Sequence, residues 1–417
     1  MNTSATRVIS LPNNFLDKHF LIDHIEATLR FYEPNALDQT GGFFHYFLDD
    51  GTVFNKASRH LVSSARIVYN YAMALVRLDE NLSEKYRYRA LHALNYLREK
   101  HFNKQTGSYW WTLNNHLSED KTNYCYGLAF VLLAYASAIK AGFNQAKPWL
   151  RKTFILLEKY FWDDAAGLYR DEADENWQFS NYRGQNANMH ACEALMAAFQ
   201  ATNELHYLDR ASLIASNICQ RQANLSNQLV WEHFDENWQI DWDFNRNDPK
   251  NLYRPWGFQT GHQTEWTKLL LTLERLQNKN SIQTNWLLPT AEHLFNQAIN
   301  RGWDNVHGGL YYGFAPDFED GICDSDKYFW VQAESIAAAA LLAQRTSNKK
   351  YWDWYNNLWA YVWTHFVDHQ YGAWYRVLNR ENKKLSNQKS LGGAKVDYHN
   401  LSACYEILAL LDGDKNA

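Results

Sequence analysis

The stretch GGFFHYF (41–47) returns five more times in altered form: GSYWWTL (107–113), GLYRDEA (167–173), NQLVWEHF (227–234), GGLYYGF (308–314) and YGAWYRV (371–377). A short aromatic element recurring at a fixed interval is the mark of a repeat architecture. With Gly42, Gly107, Gly167, Asn227, Gly309 and Gly372 as markers, the separations are 65, 60, 60, 82 and 63 residues. Only the fourth interval is long, so it carries an insertion, and the Trp-, Asn- and Asp-rich segment 235–260 is the natural place for it. The copies read as short aromatic strands, usually opened by glycine, a residue suited to a turn.

Between the markers the apolar residues recur at helical spacing. After each strand, at about 60–78, 123–140, 186–202, 262–277, 328–345 and 398–411, small and apolar residues cover several faces, as in SIAAAALLA (335–343). Helices apolar nearly all round are buried. Before each strand, at about 14–33, 84–102, 145–161, 207–222, 287–301 and 350–366, one face is charged, as in SEKYRYRALHALNYLREK (83–100). Inner and outer helices therefore alternate six times, which predicts an all-α closed ring rather than an open solenoid with shorter repeats and polar caps. Only seven prolines are present and no Pro/Gly/Ser linker divides the chain, so residues 1–417 read as one catalytic domain. In such a ring the strands cluster where the inner helices start. Six helix N-termini then face one cavity, with free N–H groups that favour negative charge.

Aromatics make up 16% of the chain, with 18 Trp, 26 Tyr and 22 Phe. They build a large core, or they offer flat faces on which the C–H faces of sugar rings stack. A net charge of −5 speaks against a nucleic-acid partner, and no Lys/Arg run is dense enough for a membrane surface. The most apolar stretch, 335–343, is too short to span a bilayer. The opening MNTSATRVISLPNNF lacks a secretory pattern. Five cysteines (125, 192, 219, 323 and 404) are widely spaced, which indicates neither a disulfide framework nor a zinc site and fits a reducing cytoplasm. The chain is expected to act as a monomer or weak homodimer.

Polar residues stand out near the starts of the inner helices. The first holds Arg66 amid apolar neighbours, and the second opens near Tyr124. The third begins YRGQNANMHACEAL, placing Asn186 and His190 four apart on one face, with Glu193 a turn further on to orient the imidazole. The fourth repeat gives Glu232 in WEHF, then His262, Glu265 and Trp266 in GHQTEW. The fifth places Trp330 and Glu334 four apart, and the sixth puts His399 in its first turn. Each has a plainer reading, a paired core arginine or a satisfied core histidine. Two histidines on a ring of helix starts nonetheless suit proton abstraction beside a carbonyl, because imidazole titrates near neutral pH. Arg66 and the helix termini would then face the enediolate. No nucleotide, flavin or phosphate fingerprint is present, and no ligand spacing for a metal, so neither cofactor nor metal is expected.

The segments HLVSSAR, YRGQNANMHACEA, EHFDENW, TGHQTEW, FWVQAES and DYHN resemble the N-acylglucosamine 2-epimerase superfamily, from about residue 40 to 407. Within it they look most like the aldose–ketose isomerase branch acting on mannose. The resemblance implies an (α/α)6 barrel with a central sugar pocket and no metal. It matches the acid/base histidines to His262 and His399, and the sugar-binding residues to Arg66, Asn186 and His190, with Glu232, Glu265 and Trp330 beside them. Disaccharide 2-epimerases of the family carry Trp where this chain has Ala394, and tend to Pro where it has Asp397. Sulfosugar isomerases have an Arg where this chain has Leu252, although Arg254 lies near.

The resulting expectation is a cofactor-independent isomerase interconverting D-mannose and D-fructose, and also D-lyxose and D-xylulose, through a cis-enediol(ate). His399 would carry the C1/C2 transfer and His262 ring opening, with Glu265 fixing the His262 tautomer. The alternatives are a mannose 2-epimerase, a glycoside hydrolase using two of Glu232, Glu265 and Glu334, and a non-catalytic sugar binder.

Overall fold

All six markers adopt left-handed backbone, from φ 59° at Asn227 to 86° at Gly372. Glycine takes that conformation without steric cost, and asparagine is among the few other residues that tolerate it. This explains the five glycines and the single Asn. The loops that lead to several of these turns share a feature the sequence reading passed over. The side chains of Asp38, Asn103, Asp304 and Asp368 each accept a backbone N–H two residues on, closing Asx-turns.

The computed structural model describes residues 10–78, 81, 83–280, 284–317 and 321–413. Most of the opening segment read above for a secretory pattern, residues 1–9, lies outside them. Outer and inner helices alternate: α1 (Lys18–Tyr32), α2 (Leu61–Arg77), α3 (Ser83–Tyr96), α4 (Cys125–Lys140), α5 (Lys147–Leu156), α6 (Gln185–Thr202), α7 (Leu205–Ser216), α8 (Thr260–Lys279), α9 (Leu287–Gly302), α10 (Phe329–Thr346), α11 (Lys349–His365) and α12 (Tyr398–Leu411). The even-numbered helices form the inner ring, each packed on the next, and α12 on α2 closes it. Their small residues permit this: α10 is buried from Val331 to Ala343 without interruption. The expected outer helices at 84–102, 145–161 and 207–222 are regular only in their first parts. Their ends, Leu97–His101, Leu157–Phe161 and Asn217–Gln222, widen into π-turns, each a local insertion that helical periodicity does not reveal.

The aromatic elements also differ from single continuous strands. In four repeats the first half only bridges back to the chain before the turn (Leu37↔Phe43, Phe102↔Tyr109, Trp303↔Leu310, Val367↔Trp374). The second half pairs antiparallel with the strand that feeds an inner helix, as Ser58–His60 with Thr112–Asn114 and Lys327–Tyr328 with Val377–Leu378. Phe47↔Ser390 joins the first repeat to the last, so one of the separate two- and three-stranded sheets bridges the point where the helix ring closes. Among the described residues no helix is long and apolar enough to cross a membrane.

Candidate active site

Because each inner helix begins at a hairpin, equivalent positions on them face one another. The second residues of α4, α6, α10 and α12 are Tyr126, Asn186, Trp330 and His399, and His262 is third in α8. One turn deeper, the sixth residues of α2, α6, α8 and α10 are Arg66, His190, Glu265 and Glu334. The i, i+4 spacings of the sequence thus become two polar layers.

The Trp330 indole lies between the two expected acid/base residues, its centroid 5.0 Å from the His262 ring and 5.7 Å from the His399 ring. It rests on Gly261, where a Cβ would collide with the ring. Each histidine is held from behind by a carboxylate. His399 Nδ1 is 2.7 Å from Glu334 Oε1. His262 Nδ1 is 2.9 Å from both oxygens of Glu232. His190 Nδ1 is 3.0 Å from Glu193 Oε2. A carboxylate accepts, so in the neutral imidazoles of His399 and His190 the proton sits on Nδ1 and the lone pair on Nε2. Gln185 Nε2 also lies 3.0 Å from His262 Nδ1, but its amide donates to Glu232, and its own oxygen accepts from Trp266. The expectation that Glu265 orients His262 is therefore corrected: Glu232, arriving from the hairpin, holds that nitrogen. Helical spacing could not find a partner supplied from another repeat.

Arg66 is 3% exposed, and among the described residues no carboxylate pairs with it. Its guanidinium lies over the Phe130 and Tyr398 rings, at 4.3 and 5.0 Å. Arg66 Nη2 donates to Tyr126 Oη at 3.0 Å and points at His399 Nε2 at 3.4 Å. Burial first, then Arg66, holds the His399 pKa well below the usual 6.5, so its imidazole is neutral. Burial likewise lowers that of His190. Glu265 is wholly buried, and neither of its oxygens has a hydrogen-bond partner among the described residues. Burial, and after it Glu334, pushes its carboxyl well above the usual range, so it stands neutral. Asn186 Oδ1 has no hydrogen-bond partner among the described residues.

Tyr124 does not join these groups. It precedes α4 on a strand and packs on Trp111 with centroids 4.2 Å apart. Tyr124 is the tyrosine expected to contact the sugar; the one that meets Arg66 is Tyr126, the second residue of α4. Lys268, which the sequence reading also missed, lies among the acids, with Nζ 2.6 Å from Glu334, 3.6 Å from Glu193 and 4.0 Å from Glu265. Ligand-type atoms of His190, Glu193 and Glu265, and of Glu265, Glu334 and His399, gather within 4.8 Å, although no spacing in the sequence announced them. Lys268 is the cation placed against these acids, and its ammonium balances charge that a metal ion would otherwise have to meet.

The long fourth interval folds over the hairpin end. Lys250 donates to Asp326 at 2.7 Å on one side, and Arg254 pairs with Glu172 at 2.5 Å on the other while lying 3.8 Å over the Tyr182 ring. Arg254 is therefore already engaged by a carboxylate. Asp397, where disaccharide epimerases tend to proline, has φ 51°, which proline cannot adopt. It is buried against Lys395 at 2.5 Å.

The N-acylglucosamine 2-epimerase (GlcNAc 2-epimerase) family matches residues 42–403. The chain belongs to this family. It is 52% identical over 399 residues to a D-mannose isomerase of Marinomonas mediterranea, across 95% of this chain and 98% of that protein. A crystal structure of a D-mannose isomerase superposes with a TM-score of 0.91 at 52% identity, over 96% of this chain and 100% of that one. A cellobiose 2-epimerase of Eubacterium cellulosolvens is 23% identical over 404 residues, across 92% of this chain and 96% of that protein. The resemblance and the (α/α)6 barrel are thus borne out, and the chain is an enzyme of the isomerase class with aldose–ketose character.

Proposed function

We propose that the chain interconverts D-mannose and D-fructose, and by the same chemistry D-lyxose and D-xylulose, without cofactor or metal. The observation that carries this is the pairing of a neutral imidazole lone pair, His399 Nε2, with the Arg66 guanidinium 3.4 Å away. A base and a fixed cation side by side suit removal of a proton next to a carbonyl. His262, backed by Glu232, opens the pyranose. His399 takes the C2 proton, and the electron pair forms the C1=C2 bond while charge moves onto O1 beside Arg66. The proton on His399 returns to C1, and the O2 proton passes to O1 as the C2 carbonyl forms. Trp330 supplies a stacking face between the two histidines, and Asn186 and His190 bind hydroxyls. The first and last helices, α1 and α12, pack on each other and α12 packs on α2, so the six repeats act as one catalytic unit. The five free cysteines fit a reducing cytoplasm.

A second reading, 2-epimerisation of mannose to glucose, is favoured by the placement of both histidines against Trp330. In it, His262 would return the proton to C2 from the other face. An NMR time course of mannose in deuterated buffer separates the two: fructose carrying deuterium at C1 supports isomerisation, and glucose with deuterium at C2 supports epimerisation. Activity is expected to survive exhaustive chelation. Loss that a divalent ion restores would end the metal-free reading.

A further inference from the structure

Lys268 is 3% exposed, on an inner helix two turns below His262. Burying an ammonium is costly unless its charge is met, and here it is met by Glu334 and Glu193, with the neutral Glu265 4.0 Å away. Two of these acids are the ones that hold His399 and His190 by Nδ1. We propose that Lys268 is a positioning residue which, through Glu334 and Glu193, fixes His399 and His190 with Nε2 turned to the sugar. This rests on the isomerase reading above.

The argument is one of charge. With Glu265 already neutral, the buried Glu334 and Glu193 carboxylates do not both ionise without a cation beside them. If Lys268 were neutral, Glu334 would gain a proton and become a hydrogen-bond donor. Its O–H would then point at His399 Nδ1, and the imidazole hydrogen would move to Nε2, the atom that must accept the C2 proton. Arg66 cannot replace Lys268, because it lies on the opposite side of the imidazole, at Nε2. The other groups facing this assembly include Tyr398, whose hydroxyl donates to Glu193 at 2.8 Å, Tyr126 on Arg66, Tyr69 near Glu193 and Lys268, His262 near His190, and the neutral Glu265. Burial works against the charged lysine, but Glu334 and then Glu193 hold its pKa well above the usual value. The same ammonium opposes the rise that burial imposes on Glu334.

The test is the pH profile of kcat/KM for mannose in Lys268→Met, Lys268→Gln and Lys268→Arg, with melting temperature and C2 deuterium exchange measured alongside. In the two neutral variants kcat is expected to fall by about 10²-fold, the scale of one general acid/base, with KM nearly unchanged. The acid limb is expected to move up by about one pH unit or more. Lys268→Arg keeps the charge and should return the limb toward its wild-type position. A folded Lys268→Met with an unmoved limb overturns the proposal. So does failure to obtain either neutral variant folded, which would mark a purely structural lysine. Wild-type protein inert toward aldoses would overturn the isomerase reading, and this proposal with it, before any variant is made.

Discussion

Arg66→Met separates chemistry from structure at one position. Methionine keeps much of the aliphatic volume and removes the charge. The guanidinium has two aromatic faces, one tyrosine hydroxyl and one imidazole as neighbours, and no carboxylate partner among the described residues. The variant loses cation–π attraction of about 2 kcal/mol in a desolvated setting. It also escapes the cost of a buried charge without a counter-ion, which is of similar or larger size. The melting temperature is therefore expected to stay within about 3 °C of wild type. The rate is another matter. One donor facing a developing oxyanion is worth about 2.7–4 kcal/mol, or roughly 10²–10³ in kcat. Arg66 also depresses the His399 pKa, second only to burial, so its removal lets His399 protonate at higher pH. The acid limb of kcat/KM should move upward. Initial rates of fructose formation across pH, with thermal melts by circular dichroism, check all three. A variant melting 10 °C or more below wild type would refute this reasoning in favour of a structural arginine. A pure KM effect would mean uniform binding instead.

His399→Ala and His262→Ala are each expected to lower kcat by roughly 10²–10⁴-fold, and His399→Ala should also abolish C2 deuterium exchange. Retained exchange in that variant would remove His399 from the transfer step, and two dispensable histidines with an inactive Glu232→Gln would point to a carboxylate mechanism. Cellobiose is expected to be a poor substrate, because Ala394 offers no stacking face and the fourth-interval insertion is pinned over the hairpin end by Arg254 and Lys250. Comparable kcat/KM values for cellobiose and mannose would contradict this. Acid should destabilise the fold through His24, His60 and His101, whose pKa values burial lowers from 6.5 to about 4, 3 and 4. Below pH 6.5 the unfolded chain binds protons that the native histidines refuse, so stability falls as pH drops, by roughly 1.4 kcal/mol per unit for each. Equal urea midpoints at pH 6.5 and 4.5 would rule that out.

Much of the barrel could be read directly. Gly42, Gly107, Gly167, Gly309 and Gly372 stand out because left-handed backbone is costly for almost any other residue, and Asn227 fits as the exception. The alanine-rich inner helices could be read because burial on every face leaves no polar stripe. The insertion showed as one long interval. The hairpins were less legible, since a bridge and a two-residue strand carry no periodicity of their own.

The site divides in the same way. Sequence determined which residues sit one turn apart on one helix: Asn186 over His190, and His190 beside Glu193. It determined that His262 and His399 stand at helix starts, and that no fingerprint for a nucleotide cofactor is present. Only the tertiary structure decided that Glu232 rather than Glu265 holds His262, that Tyr126 rather than Tyr124 meets Arg66, and that Lys268 joins Glu193, Glu265 and Glu334. The physical reason is separation along the chain. Helical periodicity fixes neighbours within four residues, whereas Glu232 reaches His262 across 30 residues and Glu334 reaches His399 across 65. Those partners, and the charge states they impose, exist only once the ring has closed.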